Sequence, residues 1–188
     1  MSTSLVILLI LVALVLWAIG AYNGLVAMRQ RARQAFADID VQLKQRHDLI
    51  PNLVETVKGY ASHEKETLDA VIKARNSAVS ATGAPAQGQA EAQLSGALGR
   101  LIALSEAYPD LKANTNFQQL QGELSDIENK LSAARRFFNN AVGEYNAGIE
   151  SFPAVLLARN FGFQAMTMFD VGEDTRKTLD AAPPQVKF

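Results

Sequence analysis

The sequence predicts an all-α protein: an N-terminal transmembrane helix that continues into an elongated antiparallel four-helix bundle, closed by a short irregular C-terminal segment. Three observations predict it. The stretch from Leu5 to Ala21 is apolar without a break, and no charged residue or histidine precedes Arg29. Beyond it, apolar residues return every three or four positions, and no stretch alternates apolar with polar as a half-buried strand does. A row of Phe117, Leu124, Leu131, Phe138, Tyr145 and Phe152 then repeats at seven-residue steps.

The span comes first. Residues 5–21 cover roughly 26 Å at ~1.5 Å per residue, slightly short of a hydrocarbon core. Leu25, Val26, Ala27 and Met28 extend it by about a turn. Leu5, Leu9 and Leu14 are its lipid-facing candidates, while Trp17 and Tyr22 stand where amphipathic rings favour the lipid–water boundary. A cleaved signal peptide is the competing reading, because Ala18-Ile19-Gly20 is a small-x-small pattern. Against it, Met1-Ser2-Thr3-Ser4 lacks the cation such signals begin with, and the apolar run is longer than usual. Cations cluster only after the span, at Arg29, Arg31, Arg33, Lys44 and Arg46. The positive-inside bias therefore expects the N-terminus outside and the bulk of the chain in the cytoplasm. Arg29, Arg31 and Arg33 are candidates for contact with anionic lipid headgroups. A solvated helix face is the alternative, since Asp38 and Asp40 dilute the patch.

Four helical segments come after the span. The first, over about 23–46, carries Leu25, Met28, Ala32, Phe36, Ile39 and Leu43 in helical phase and continues the span. Pro51 is expected to end it in a tight turn or kink at Asp48-Leu49-Ile50-Pro51, because proline lacks the helical donor. The second, over about 51–80, uses Leu53, Val57, Leu68, Val71 and Ile72. Residues 81–88, rich in small residues, Gly and Pro, read as the clearest loop. The third, over about 89–108, uses Leu94, Ala97, Leu98, Leu101 and Leu104, and Asn114 or Thr115 is expected to cap the fourth. The fourth is the heptad segment. Its second row, Leu120, Ile127, Ala134, Ala141 and Gly148, turns small toward the C-terminus, where another helix has room to approach. The seven-spaced row is the candidate helix seam or self-association surface.

Past Pro153 the chain is apolar but interrupted, with Phe161, Phe163 and Phe169 as partner-surface candidates. This stretch is either core packing at the bundle end or an exposed surface for a partner or bilayer. The tail, 181–188, reads as extended and mobile, and as a weak candidate for strand addition. The organisation expected is thus an anchor over 1–22, a bundle over 23–152, and an apolar segment with a mobile tail over 153–188.

Little chemistry is written in the chain. A net charge of −1 argues against nucleic-acid binding, and the absence of Cys removes thiolate, disulfide and Cys–metal chemistry. His47 and His63 are read as surface or turn residues. His63-Glu64 opens like a zinc-protease helix, but position 67 is Thr. No Glu is followed three residues later by His, so the di-iron bundle pattern is missing. We expect no catalytic, cofactor-binding or metal residues and no small-molecule substrate. The asparagines Asn23, Asn52, Asn114, Asn116, Asn139 and Asn146 stand near apolar positions and read as caps and register pins, or else as lining a partner surface.

Together these residues resemble the LemA family. The stretches that carry the resemblance are Tyr22-Asn23, Ile39-Asp40-Val41-Gln42-Leu43-Lys44, Asp48-Leu49-Ile50-Pro51-Asn52-Leu53-Val54 and Val57-Lys58-Gly59-Tyr60-Ala61. Leu111-Lys112-Ala113-Asn114, Asn116-Phe117, Tyr145-Asn146, Phe152-Pro153 and Phe161-Gly162-Phe163 complete it. Phe138 and Met168 stand where the family usually has Tyr. The resemblance implies a four-helix bundle behind an N-terminal anchor in the bacterial cytoplasmic (inner) membrane, with no established enzymatic activity. The expected function is a non-catalytic membrane scaffold or adaptor that self-associates or recruits a protein. Lipid-contacting membrane organisation or stress response is the alternative, and a helical-bundle enzyme the remote one. Partners expected are membrane lipid, a second copy of the chain and a protein.

Overall fold

The computed structural model describes residues 3–169. The expected extended tail and its strand-addition role lie outside these residues. The described chain is helical, in the order α1 Thr3–Lys58, α2 Lys65–Ser80, α3 Ala84–Ser105, α4 Pro109–Lys112, α5 Thr115–Glu150 and α6 Ala154–Asn160, and contains no strand among the described residues.

The N-terminal part of α1 is long and apolar enough to cross a membrane, and none of that window is buried by the rest of the chain. The helix passes Asn23 and Gly24 without a break.

The turn expected at Asp48–Pro51 is not there. Helix α1 keeps going through Pro51 to Lys58. Proline at residue 51 removes the amide that would bond to the carbonyl of His47, a defect of about 3 kcal/mol in a helix interior. The structure answers that carbonyl from elsewhere: Arg75 Nε donates to His47 O at 2.9 Å. The real break comes at Gly59. Here Tyr60 N and Ala61 N both bond to Val57 O, closing the helix, and Ala61 turns inward. The second predicted segment is therefore split between the end of α1 and α2.

The loop expected over 81–88 is also shorter than expected. Only 81–83 separate α2 from α3. Gly83 takes the left-handed φ of +82° just ahead of α3, and Pro85 occupies its first turn, where its missing amide costs nothing. Asn114 does cap α5, accepting a bond from Phe117 N at 3.0 Å on its side-chain oxygen.

The chain divides into two compact units. One contains the chain up to Asp38 together with Ala134–Met168. Within it α1 and α5 run antiparallel: Phe36 meets Phe138 with ring centroids 5.4 Å apart, Arg31 pairs with Glu144 at 3.0 Å, and Gly148 faces Leu25 and Met28. A Cβ at residue 148 would come within 2.9 Å of Met28 Sδ, so the small residue is what admits α1 here. The small core is Leu25, Tyr145, Ile149, Ala158 and Phe163.

The other unit contains Ile39–Ala133 and Phe169. Four long helical stretches share one core in it. Ile50, Leu53, Val54 and Val57 come from α1, Leu68 and Val71 from α2, Leu94, Leu98 and Leu101 from α3, and Phe117 and Leu124 from α5. Leu111 of α4 closes the end.

Of the seven-spaced row, Phe117, Leu124, Leu131, Phe138 and Tyr145 are all buried within the single chain. Phe152 departs from it. It lies beyond the end of α5 and is 82% exposed, because the helix stops at Glu150 before Pro153.

Candidate functional site

The densest chemistry lies inside the second unit, on residues the periodicity assigns to the core. On α1, Leu43 and Ile50 set the buried stripe, and Arg46 and His47 fall between them on the same stripe. On α3, Leu94, Leu98 and Leu101 set it, and Glu91 lies one turn before Leu94. Helix geometry alone carries these three polar groups inward. Glu91 is 1% exposed, Arg46 5% and His47 8%.

They meet each other there. Arg46 Nη1 donates to Glu91 Oε2 at 2.8 Å, and His47 Nε2 lies 2.6 Å from Glu91 Oε1. Both carboxylate oxygens are thus engaged by adjacent residues of one helix. Arg46 Nη2 donates to Ser95 Oγ at 2.8 Å, one turn further along α3. Arg46 Nη1 also lies 3.2 Å from Glu128 Oε2 on α5. A carboxylate moved into an apolar core costs several kcal/mol unless paired and hydrogen-bonded. Here the pairing ties α1 to α3 and, through Glu128, to α5. His47 uses its ring for Glu91 and its carbonyl for Arg75.

His47 is therefore not the surface or turn residue expected, and Arg46 is buried beside it. The signal for both was present: a polar residue in phase with flanking buried Leu and Ile. His63 is exposed. A shallow groove beside the cluster is lined by Asp40, Lys44, His47, Asp48, Arg75 and Gln87, with Gln87 Nε2 donating to Asp40 Oδ1 at 3.1 Å. Among the described residues no three His, Asp or Glu side chains stand where they would hold a metal ion.

The first unit carries a different arrangement. The side chain of Asn146 grips the chain beyond α6. Its Oδ1 accepts from Met166 N and its Nδ2 donates to Met166 O, both at 2.9 Å. One amide side chain thus completes both backbone bonds of Met166, as a neighbouring strand would. Tyr145 adds a bond from its hydroxyl to Gln164 O at 2.9 Å. Asn146 pins this segment back onto its own helix rather than setting register between two helices.

That clamp fixes the aromatics ahead of it. Tyr22 makes edge contacts with Phe161 and Phe163, with centroids 5.2 and 5.5 Å apart, and the Arg29 guanidinium lies 4.9 Å over the Phe163 ring. Of the three partner-surface candidates, Phe163 and Phe169 are buried, so only Phe161 is available as surface. Of the headgroup candidates, Arg29 is half-buried against Phe163 and Arg31 is paired with Glu144, while Arg33 is exposed. Leu5, Leu9, Leu14, Trp17 and Tyr22 are all exposed on α1.

The sequence pattern that defines the LemA family matches residues 35–188. The chain belongs to the LemA family. Among characterised proteins it is 26% identical to Protein LemA of Metamycoplasma hominis over 168 residues, covering 87% of this chain and 75% of the other. It is 25% identical to Magnetosome protein MamQ of Magnetospirillum gryphiswaldense over 185 residues, covering 85% of this chain and 68% of the other. Magnetosome protein MamQ 2 of Paramagnetospirillum magneticum is 24% identical, and the match spans 64% of that protein's length. The stretches that carry the LemA resemblance fall on the features above. Asp48–Val54 surrounds the proline inside α1, Leu111–Asn114 ends in the α5 cap, Tyr145-Asn146 is the clamp, and Phe161-Gly162-Phe163 is the ring cluster around Tyr22. Gly162 takes φ +70°, a turn conformation that a side chain disfavours.

Proposed function

We propose that this LemA-family chain is a non-catalytic helical scaffold of the bacterial cytoplasmic membrane. A single N-terminal span holds it, with the N-terminus outside, and its helical domain self-associates or recruits a protein at the cytoplasmic side. The observation that carries this reading is the continuity of α1. One helix holds the apolar stretch Leu5–Ala21, gives Leu25 to one core, and gives Ile50, Leu53, Val54 and Val57 to the other. A span built this way is part of the folded domain rather than a separate tether.

The buried polar cluster supports the non-catalytic half. Arg46, His47, Glu91 and Ser95 direct their hydrogen bonds at one another and so hold helices together. The cations beyond the span support the orientation.

Single-cysteine labelling tests the topology, because the chain has no cysteine of its own. In intact cells a membrane-impermeant maleimide should label Ser4→Cys, and should reach Ser80→Cys only after the inner membrane is opened. The reverse pattern would overturn the orientation. Native mass spectrometry of the full chain in detergent tests self-association, and a strict monomer at every concentration leaves recruitment of a partner as the remaining reading.

A further inference from the structure

We propose that the stretch Phe152–Phe161 is a second, shallow membrane contact, in which Phe152, Leu156 and Phe161 enter the boundary between headgroups and acyl chains beside the point where α1 leaves the bilayer. The inference rests on the reading of Leu5–Ala21 as a span.

The level of this stretch is set by pairing within the first unit. Phe138 meets Phe36, Glu144 meets Arg31, and Gly148 meets Met28 and Leu25. Each step toward the C-terminus of α5 is matched by a step toward the N-terminus of α1. Continued for one more turn, the pairing brings the end of α5 level with Tyr22. Phe161 confirms that level directly, since its ring touches Tyr22. Tyr22 is the aromatic that closes the apolar run, at the depth where such rings favour the lipid–water boundary.

At this level three large apolar side chains of one short stretch are exposed together. Phe152 is 82% exposed, Leu156 56% and Phe161 60%. Helix α6 turns Ala154 and Ala158 onto the core beside Leu25 and Tyr145, which sends Leu156 to the opposite side. The Asn146 clamp and the Tyr145 bond hold the returning chain, so the exposure of Phe161 belongs to a fixed structure rather than to a loose loop. The occupant that fits is lipid. Phe161 is continuous, through Tyr22, with the uncovered apolar surface of the span, and Arg29 and Arg159 stand in the same unit for headgroup phosphates. A short amphipathic element of this kind beds its apolar side about 5–10 Å into the interface.

Depth-resolved fluorescence of the full chain in phosphatidylcholine–phosphatidylglycerol vesicles tests this. Trp17 is the only tryptophan. It reports on the span in the native chain, and Trp17→Phe clears the background for Phe161→Trp or Phe152→Trp, each at an exposed site. The expected result is blue-shifted emission at 161 and 152, with intensity lost when the lipid carries bromine near the headgroup end of its acyl chains. Phe137→Trp in the same background, exposed on α5 of the same unit at the level of Phe36 and so well down α1 from Tyr22, should show neither. Bromine quenching of Trp17 without quenching at 161 and 152 would overturn the inference and leave the span intact. No quenching at Trp17 would overturn both. Shielding of 161 and 152 from aqueous acrylamide only at high protein-to-lipid ratio, with no bromine quenching, would assign the face to a second copy and likewise overturn it.

Discussion

Arg75 donates from Nε to the backbone carbonyl of His47 at 2.9 Å, and that carbonyl is the one Pro51 leaves without its helical amide. A charged side chain on α2 thereby completes a backbone bond in α1. Removing it with Arg75→Ala leaves a part-buried acceptor unanswered, which should lower stability by about 1–3 kcal/mol. In a Pro51→Ala background the new amide supplies the missing donor, so the same Arg75→Ala change should cost clearly less. Urea unfolding in detergent, followed by circular dichroism, gives all four corners of the cycle. An equal cost in both backgrounds would mean that Arg75 does not act through this carbonyl.

The Glu91 cluster predicts an asymmetry between breaking a pair and replacing it. Glu91→Ala takes from the buried Arg46 guanidinium its 2.8 Å partner and leaves it Ser95 and the half-exposed Glu128, and breaking a buried pair in this way costs up to about 3–5 kcal/mol. Replacing both ends with apolar residues of similar length, Arg46→Met with Glu91→Leu, removes the under-paired buried charge and should recover most of the loss. Thermal unfolding of the two variants distinguishes the outcomes. A double variant no better than Glu91→Ala alone would show that the ion pair contributes more than its own neutralisation.

Asn146 should be sensitive even to a near-isosteric change. Asp in its place keeps the acceptor for Met166 N but loses the donor to Met166 O, and Leu loses both. Hydrogen exchange at the Met166 amide should speed up strongly in Asn146→Leu and only modestly in Asn146→Asp. Unchanged protection in Asn146→Leu would refute the clamp.

Gly148 predicts a graded response. Ala adds a Cβ 2.9 Å from Met28 Sδ, a contact that the flexible thioether relieves by shifting. The helix meanwhile gains up to about 1 kcal/mol from losing a glycine. Gly148→Ala should therefore be near neutral. Gly148→Leu overfills the same space beside Leu25 and should cost about 1–3 kcal/mol in a thermal melt.

Tyr108 donates from its hydroxyl to the Glu64 carboxylate at 3.1 Å. That hydrogen bond, with slight burial and the nearby negative charge, raises the phenol above its ordinary value. The folded state thus favours the protonated ring. The stabilisation is complete below the ordinary phenol range and is lost as pH rises through the raised value. Carbon-13 NMR titration of labelled tyrosine should find the Tyr108 transition moved down in pH by Glu64→Ala, and by less in Glu64→Gln, which keeps an acceptor.

How much of this was legible depended on the range of the interaction. The apolar run, the helical phase and the Asn114 cap are local, and each stands in the structure where its residues predict it. Pro51 departs from the local rule because the group that compensates it is not local: Arg75 lies 28 residues beyond the His47 carbonyl it answers. The 81–88 segment is mostly helix because Pro85 sits in the first turn of α3, where in sequence it looks like Pro in a loop. Arg46, His47 and Glu91 were legible in principle, since each keeps the phase of the buried Leu and Ile around it. What periodicity does not supply is the partner: nothing within either segment says that the two charges are meant for each other. The Asn146 clamp was hidden differently, because a few residues outside any helix have no period to read.

The proline inside α1 has one more consequence. A helix is ordinarily a self-sufficient object, in which each rung of the ladder is supplied by its own chain. This one borrows a rung from α2. Cut out as a peptide, residues 39–58 would lack that rung and should fray on both sides of Pro51. In the intact protein, loosening α2 should loosen the middle of α1 in the same step. Secondary and tertiary structure are, at this one carbonyl, a single event.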